Sequence, residues 1–150
     1  MVNKKKKKKK GFKMYTDKLN DFFNVVDQLI ELNKQNRNTT AKKYLDEISY
    51  LKQYCTIIVD IGRNVGKTTY IRSRAKENDL IIVSSMFSII GTKSHQEILY
   101  NQTSFRNNGY ETIYIDEPKR CFAELNFDEF LQRIVNSKLE QTIICLGTWN

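Results

Sequence analysis

The stretch TIIVDIGRNVGKTTYIR, residues 56–72, decides how the rest of the chain is read. A β-branched apolar run gives way to small and basic residues, which lead into helical spacing. Phosphate-binding loops of the pattern GxxxxGK[ST] have this plan of strand, loop and helix. Gly66, Lys67 and Thr68 supply its second half. Glycine at 66 lets the backbone approach a phosphate with no Cβ in the way. Lys67 offers a point charge to the β- and γ-phosphates, and the Thr68 hydroxyl a ligand for Mg2+. Gly62, Arg63, Asn64 and Val65 would complete the loop, with Thr69 following in the first helical turn, so that amides cradle phosphate oxygens. The pattern's first glycine falls on Ile61, and Gly62 stands one place late.

A partner for this loop lies 49 residues beyond Lys67, in TIYIDEP. Thr112 to Ile115 fill a buried strand and lead into Asp116 and Glu117, carboxylates at the tip of a parallel strand where ligands bind. Asp116 would hold Mg2+, and Glu117 would orient and activate an attacking water. An isolated Asp-Glu pair would be read as a solvated turn; the loop at this distance changes that reading.

Two further apolar runs, LIIVSS from Leu80 and TIICLG from Thr142, join CTIIVDI and TIYID as predicted strands, four in all. CTIIVDI has the composition of a strand buried on both faces. Helical spacing predicts helices over Tyr15–Leu32, over Tyr44 to Leu51 with Thr39 or Thr40 as cap, over Lys67–Lys76, and over Phe127–Val135. Asn126 with Glu129 reads as a capping box for the last. Pro118 ends the strand before it. Strands alternating with helices predict an α/β fold, a three-layer sandwich around a parallel sheet. Thr148 stands where the last strand ends and a γ-phosphate sensor would lie, with Asn150 beside it; a plain strand-ending turn is the alternative. Trp149 is read as packing.

The 150 residues suit one compact domain with appendages: a disordered lysine-rich tail at 1–14, a helical segment at 15–53 and a core at 54–150. Seven of the eight net positive charges belong to Lys4–Lys10, leaving the remainder at +1, so the folded part is not strongly basic. The tail reads as a solvated arm, with nuclear import or polyanion binding as alternatives. No apolar run approaches the ~20 residues of a membrane span. Cys55, Cys121 and Cys145 are too far apart for a zinc knuckle or CxxC pair and read as reduced thiols of a cytoplasmic protein. His95 has no partner histidine and reads as a surface residue.

Together these motifs resemble the ATPase domain of the large terminase subunit, the viral DNA-packaging motor. Many members carry an arginine three residues before the loop's last glycine, and some lack the first glycine; GRNVGKTT has both features. TIYIDEP looks like the family's Mg2+-binding strand with its catalytic glutamate, and IICLGTW like its coupling motif, with Thr148 as the threonine. The resemblance implies a P-loop NTPase fold of the additional-strand, catalytic-glutamate type, truncated or minimal, with the TIICLG strand between TIIVDI and TIYID. It implies ATP and Mg2+ as ligands, Arg63 on the γ-phosphate in cis, double-stranded DNA as partner, a homo-oligomer or larger chain as the active state, and other motor subunits or a portal-type protein as neighbours. The insert between loop and acidic strand is short for the family, and its fifth strand and nuclease are missing after Asn150, so the chain reads as a fragment or a reduced member. A helicase-like DNA-dependent ATPase and a nucleotide-binding module that does not turn over remain the competing readings. A small-molecule kinase fits an adjacent Asp-Glu pair less well.

Overall fold

The computed structural model describes residues 2–62, 66–83, 92–94, 109–121, 126–136 and 140–149. Five strands form one sheet: β1 Thr56–Val59, β2 Leu80–Val83, β3 Thr92–Ser94, β4 Thr112–Asp116 and β5 Thr142–Leu146. Their order is β1-β5-β4-β2-β3, and every pairing is parallel. Four strands are the expected apolar runs. The fifth, β3, is a polar Thr-Lys-Ser segment beside β2 that no hydrophobic run announces. As expected, β5 separates β1 from β4.

Helices cover both faces: α1 Val2–Gln35, α2 Glu47–Tyr54, α3 Lys67–Arg74, α4 Pro118–Cys121 and α5 Phe127–Ile134. Alternation along each strand sends successive side chains to opposite faces. Ile113, Ile115, Ile143 and Cys145 meet Tyr50 and Leu51 of α2 and Phe130, Leu131 and Ile134 of α5. On the other face, Tyr114, Ile144 and Leu146 meet Phe22 and Val26 of α1 and Tyr70 and Ile71 of α3. The three layers therefore follow from period-two strands carrying apolar residues at every position.

Position in the sheet decides burial more than composition does. All five residues of the central β5 are buried. The similar run in β1 lies at the sheet edge, where Ile58 is 45% exposed, so the expectation of a strand buried on both faces holds for β5 and fails for β1.

Two local expectations also change. Thr39 and Thr40 cap no α-helix; they begin a 3-10 turn, Thr39–Lys43, whose cap is Asn38, accepting from the Thr40 N–H at 3.2 Å. The cap of α2 is Asp46, which accepts from the Ser49 N–H at 2.9 Å and its hydroxyl at 2.6 Å. In addition, α1 starts at Val2 and includes the lysine run that the sequence leaves disordered. Extending an existing helix needs no new nucleus, and lysine is a good helix former. No helix among the described residues is long and apolar enough to cross a membrane.

The middle of α1 is fixed to α3. Asp27 accepts from the Tyr70 hydroxyl at 2.7 Å and from two Arg74 nitrogens at 2.8 and 3.2 Å. Phe23 meets Tyr70 edge-on at 5.2 Å. The Arg74 hydrogen bond holds the Asp27 carboxyl below its usual range, with the Tyr70 bond adding to it against the cost of burial. A depressed folded value means stability that is present above the unfolded pKa, ~3.9, and is lost as pH falls through the folded one. Asp27→Asn is therefore expected to lower the melting temperature at neutral pH, with the gap from wild type closing in strong acid. Melting curves across pH check this.

Candidate functional site

The carboxyl ends of β1, β5 and β4 lie side by side, and the segments leaving them carry the predicted residues. Ligands of parallel sheets bind at this edge. After β1 the chain runs through Asp60, Ile61 and Gly62 and enters α3 at Lys67, with Gly66 as N-cap at φ +93°. This left-handed conformation suits glycine. Space demands it too, because a Cβ at Gly66 would overlap Leu19 Cδ1 and come within 3.8 Å of Phe23 Cε1, both from α1.

Lys67 is only 7% exposed. Its Nζ donates to the carbonyls of Ile61 at 3.2 Å and Gly62 at 3.0 Å. A third contact is the ion pair with Glu117 Oε1, at 2.6 Å. These bonds explain how Ile61 can replace a glycine. Position 61 supplies a carbonyl, which any residue carries, while its side chain packs beside the α1 and α3 core. Among the described residues, nothing lies within 4 Å of where a Cβ at Gly62 would stand. Thr69 is exposed in the first turn of α3.

Across the site, Thr68 Oγ1 donates to Asp116 Oδ2 at 2.7 Å. Burial pushes the Asp116 carboxyl up from its ordinary pKa, partly opposed by the Thr68 bond. Glu117 leaves the strand in another direction. It is the one non-glycine at positive φ among the described residues, at +56°, a conformation costing about 1–2 kcal/mol for an L-residue. Its N–H donates to the Leu146 carbonyl at 2.9 Å, and its own carbonyl accepts from the N–H groups of Arg120 and Cys121 in α4. Pro118 takes the first position of α4, where no amide hydrogen is needed. Burial alone would raise the Glu117 pKa. The Lys67 bond and the Thr148 N–H outweigh it and hold the carboxyl low.

One residue of this arrangement escapes the sequence. Gly147 follows β5 at φ +124°, and a Cβ there would lie 2.7 Å from Glu117 Oε2 and 3.0 Å from Oε1. Its N–H donates to Val59 at 2.9 Å, fixing it between β1 and β4. The only hint in the sequence is a glycine at a strand end, which usually marks a turn. Gly147→Ala is expected to displace the Glu117 carboxylate and slow any reaction it serves by about 10²-fold, with ligand affinity at Lys67 retained. Comparing single-turnover rates with equilibrium binding checks the split.

Thr148 reaches the site by its backbone. Its N–H donates to Glu117 Oε2 at 3.3 Å, and its carbonyl accepts from Lys119 at 2.8 Å. Trp149 packs edge-on against Phe127, 4.9 Å between centroids, as expected of a packing residue. Arg63, Asn64, Val65, His95 and Asn150 lie outside the described residues.

The arrangement offers a buried ammonium and the amino end of α3 to an anion, with carboxylates at two angles beyond them. The Thr68 hydroxyl and Asp116 carboxylate are adjacent hard oxygen donors. Mg2+ takes such a pair when phosphate and water complete its shell, so the residues fit that ion. A separate cavity of about 210 Å3 lies at the other ends of the strands, against Leu45, Tyr50, Cys55, Val135 and Gln141, and borders none of these residues. No family model, no curated protein and no solved structure matches the chain.

Proposed function

We propose that this chain binds ATP with Mg2+ at the loop before α3 and hydrolyses it, as a P-loop ATPase of the additional-strand type similar to the DNA-packaging terminases. The observation that carries the reading is the convergence of two segments 49 residues apart: Lys67 with Glu117 at 2.6 Å and Thr68 with Asp116 at 2.7 Å. The strand order supports it, since β5 stands between the loop strand and the acidic strand. Double-stranded DNA as the translocated polymer, and assembly with other subunits, rest on the motif resemblance.

In this reading Lys67 neutralises β- and γ-phosphate oxygens, and the amino end of α3 adds its partial positive charge. Thr68 and Asp116 would hold Mg2+, which would neutralise phosphate charge when bound. Glu117 accepts a proton from the attacking water. In the free chain that carboxylate is occupied by Lys67, so an entering γ-phosphate and Glu117 compete for one ammonium. Phosphate binding then frees the base at the moment a substrate is present. Gly147 and the Thr148 N–H keep the freed carboxylate near its place. Arg63 would act on the γ-phosphate from the same loop.

A second reading, a nucleotide-binding module without turnover, draws on the same ion pair, because a base that never leaves Lys67 activates no water. Nucleotide binding with and without Mg2+, together with phosphate release with and without duplex DNA, separates the two. Binding with Mg2+-dependent release supports the ATPase. Binding without release supports the module, and no binding at all removes both.

A further inference from the structure

We infer that Lys4–Lys10 form a docking arm for the phosphate backbone of duplex DNA, and that α1 links this arm to the phosphate-binding loop. The contacts of α1 fix its direction. Leu19 lies against Gly66, Phe23 against Tyr70, and Asp27 against Arg74. Each step of four along α1 matches a step of four along α3 in the same sense, so the two helices are parallel. From Leu19 towards its start, α1 therefore runs past the amino end of α3, out over the edge that holds Lys67, Asp116 and Glu117. Its backbone stays helical to Val2. At 1.5 Å per residue, Lys10 lies about 14 Å beyond the Gly66 contact and Lys4 about 22 Å beyond it.

The chemistry of the run selects its partner. Seven consecutive positions cover nearly two helical turns and so every side of the helix. A helix that lies in a membrane surface needs one apolar face, and positions 4–10 have none. By its composition such a run also disfavours a helix when no anion is present: like charges at i, i+4 repel, and the first turn has no acidic residue to suit the macrodipole. A line of phosphates removes both penalties at once. The rest of the chain, at +1, offers no comparable attraction for a polyanion.

The link to the loop is steric. Leu19 occupies the space a Cβ would need at Gly66, the residue whose carbonyl accepts the first hydrogen bond of α3, from Tyr70 at 2.8 Å. A load on the arm that moves Leu19 must move Gly66 or open a gap beside it. Either changes the amides and the lysine that face a bound phosphate. This half of the inference rests on the nucleotide reading of Lys67; the docking half does not.

The test uses the full chain, a short DNA duplex and Mg-ATP. For wild type, the logarithm of duplex affinity should fall with the logarithm of salt at about 0.9 per phosphate neutralised, a slope of up to about 6 for seven lysines. Replacing all seven lysines by glutamine should weaken duplex binding at least about 10-fold and flatten the slope by several units, with nucleotide affinity in the absence of duplex unchanged. Saturating duplex should change the wild-type nucleotide affinity about 5-fold or more. Leu19→Ala should keep the duplex affinity and lose that coupling, while Leu19→Met, which refills the space, should restore it; equal helicity by circular dichroism shows that each variant is folded. Unchanged duplex affinity and slope in the glutamine chain would overturn the docking arm. So would binding to phosphatidylserine vesicles but not to duplex. Duplex binding with no effect on nucleotide affinity would overturn the link alone. Failure of wild type to bind nucleotide in any condition would overturn the link together with the ATPase reading, and the docking arm would still be decided by its salt slope.

Discussion

Glu117→Gln is expected to lower hydrolysis by about 10²- to 10⁴-fold while Mg-ATP binding is kept or strengthened. The amide preserves size and one acceptor oxygen but cannot take the proton of an attacking water. Strengthened binding follows from the resting geometry. Glu117 stands 2.6 Å from the Lys67 ammonium in the free chain, where it competes with phosphate for the same charge. A neutral amide competes poorly, so more of the lysine's charge is available to the nucleotide. Single-turnover hydrolysis and nucleotide affinity measured on the same preparation check both halves. A variant that hydrolyses ATP at the wild-type rate would remove Glu117 from the base role, and one that binds ATP more weakly would remove the competition.

Lys67→Ala is expected to weaken nucleotide binding by at least about 100-fold, or ~2.7 kcal/mol, because more than one contact disappears. In the folded chain this ammonium serves the Ile61 and Gly62 carbonyls and the Glu117 carboxylate together. Without it, two carbonyls and a carboxylate face the space where phosphates would sit, and the site repels the ligand it should hold. The loss should also appear with no nucleotide present. Lys67 is the main influence lowering the Glu117 pKa against the burial that would raise it. In the variant burial dominates, so Glu117 should titrate at higher pH than in wild type. Equilibrium binding measures the first effect, and the side-chain carboxyl signal of Glu117 followed by NMR across pH measures the second.

How far the sequence speaks depends on whether a feature is local. Four strands were legible because each is a run of β-branched and apolar residues, and their packing needs no other information. Thr92–Ser94 was not legible, because an edge strand paired on one side by backbone bonds leaves no pattern in its side chains. Asn38, Thr39, Thr40 and Asp46 are all good capping residues within one short segment. Only the bonds from Thr40 N–H to the Asn38 side chain and from Ser49 N–H to the Asp46 side chain show which of them cap. The motifs that hold Lys67, Thr68, Asp116 and Glu117 were legible, although the sequence did not pair Lys67 with Glu117 or Thr68 with Asp116. Their supports were not legible. Gly147 matters through a positive φ and a close approach to Glu117, and Leu19 through its overlap with the place of a Gly66 side chain. Both depend on chain segments far apart in sequence, which no window of residues displays.

The place of β5 has a consequence for how the protein is made. It comes last of the five strands along the chain yet lies between β1 and β4, and no other strand pairs with β1 among the described residues. While a ribosome is still synthesising the residues before Thr142, β1 on one side and β4 with β2 on the other share no edge. Each presents an open parallel edge of apolar residues, a state inclined to pair with other chains. When Thr142–Leu146 emerges, it joins the halves through the Thr56–Ile143 register on one side and the Thr112–Thr142 register on the other. The same event brings the Leu146 carbonyl to the Glu117 N–H and the Gly147 N–H to Val59. A nascent chain stalled just short of β5 thus contains Lys67, Thr68, Asp116 and Glu117 and still lacks the strand that sets one pair against the other.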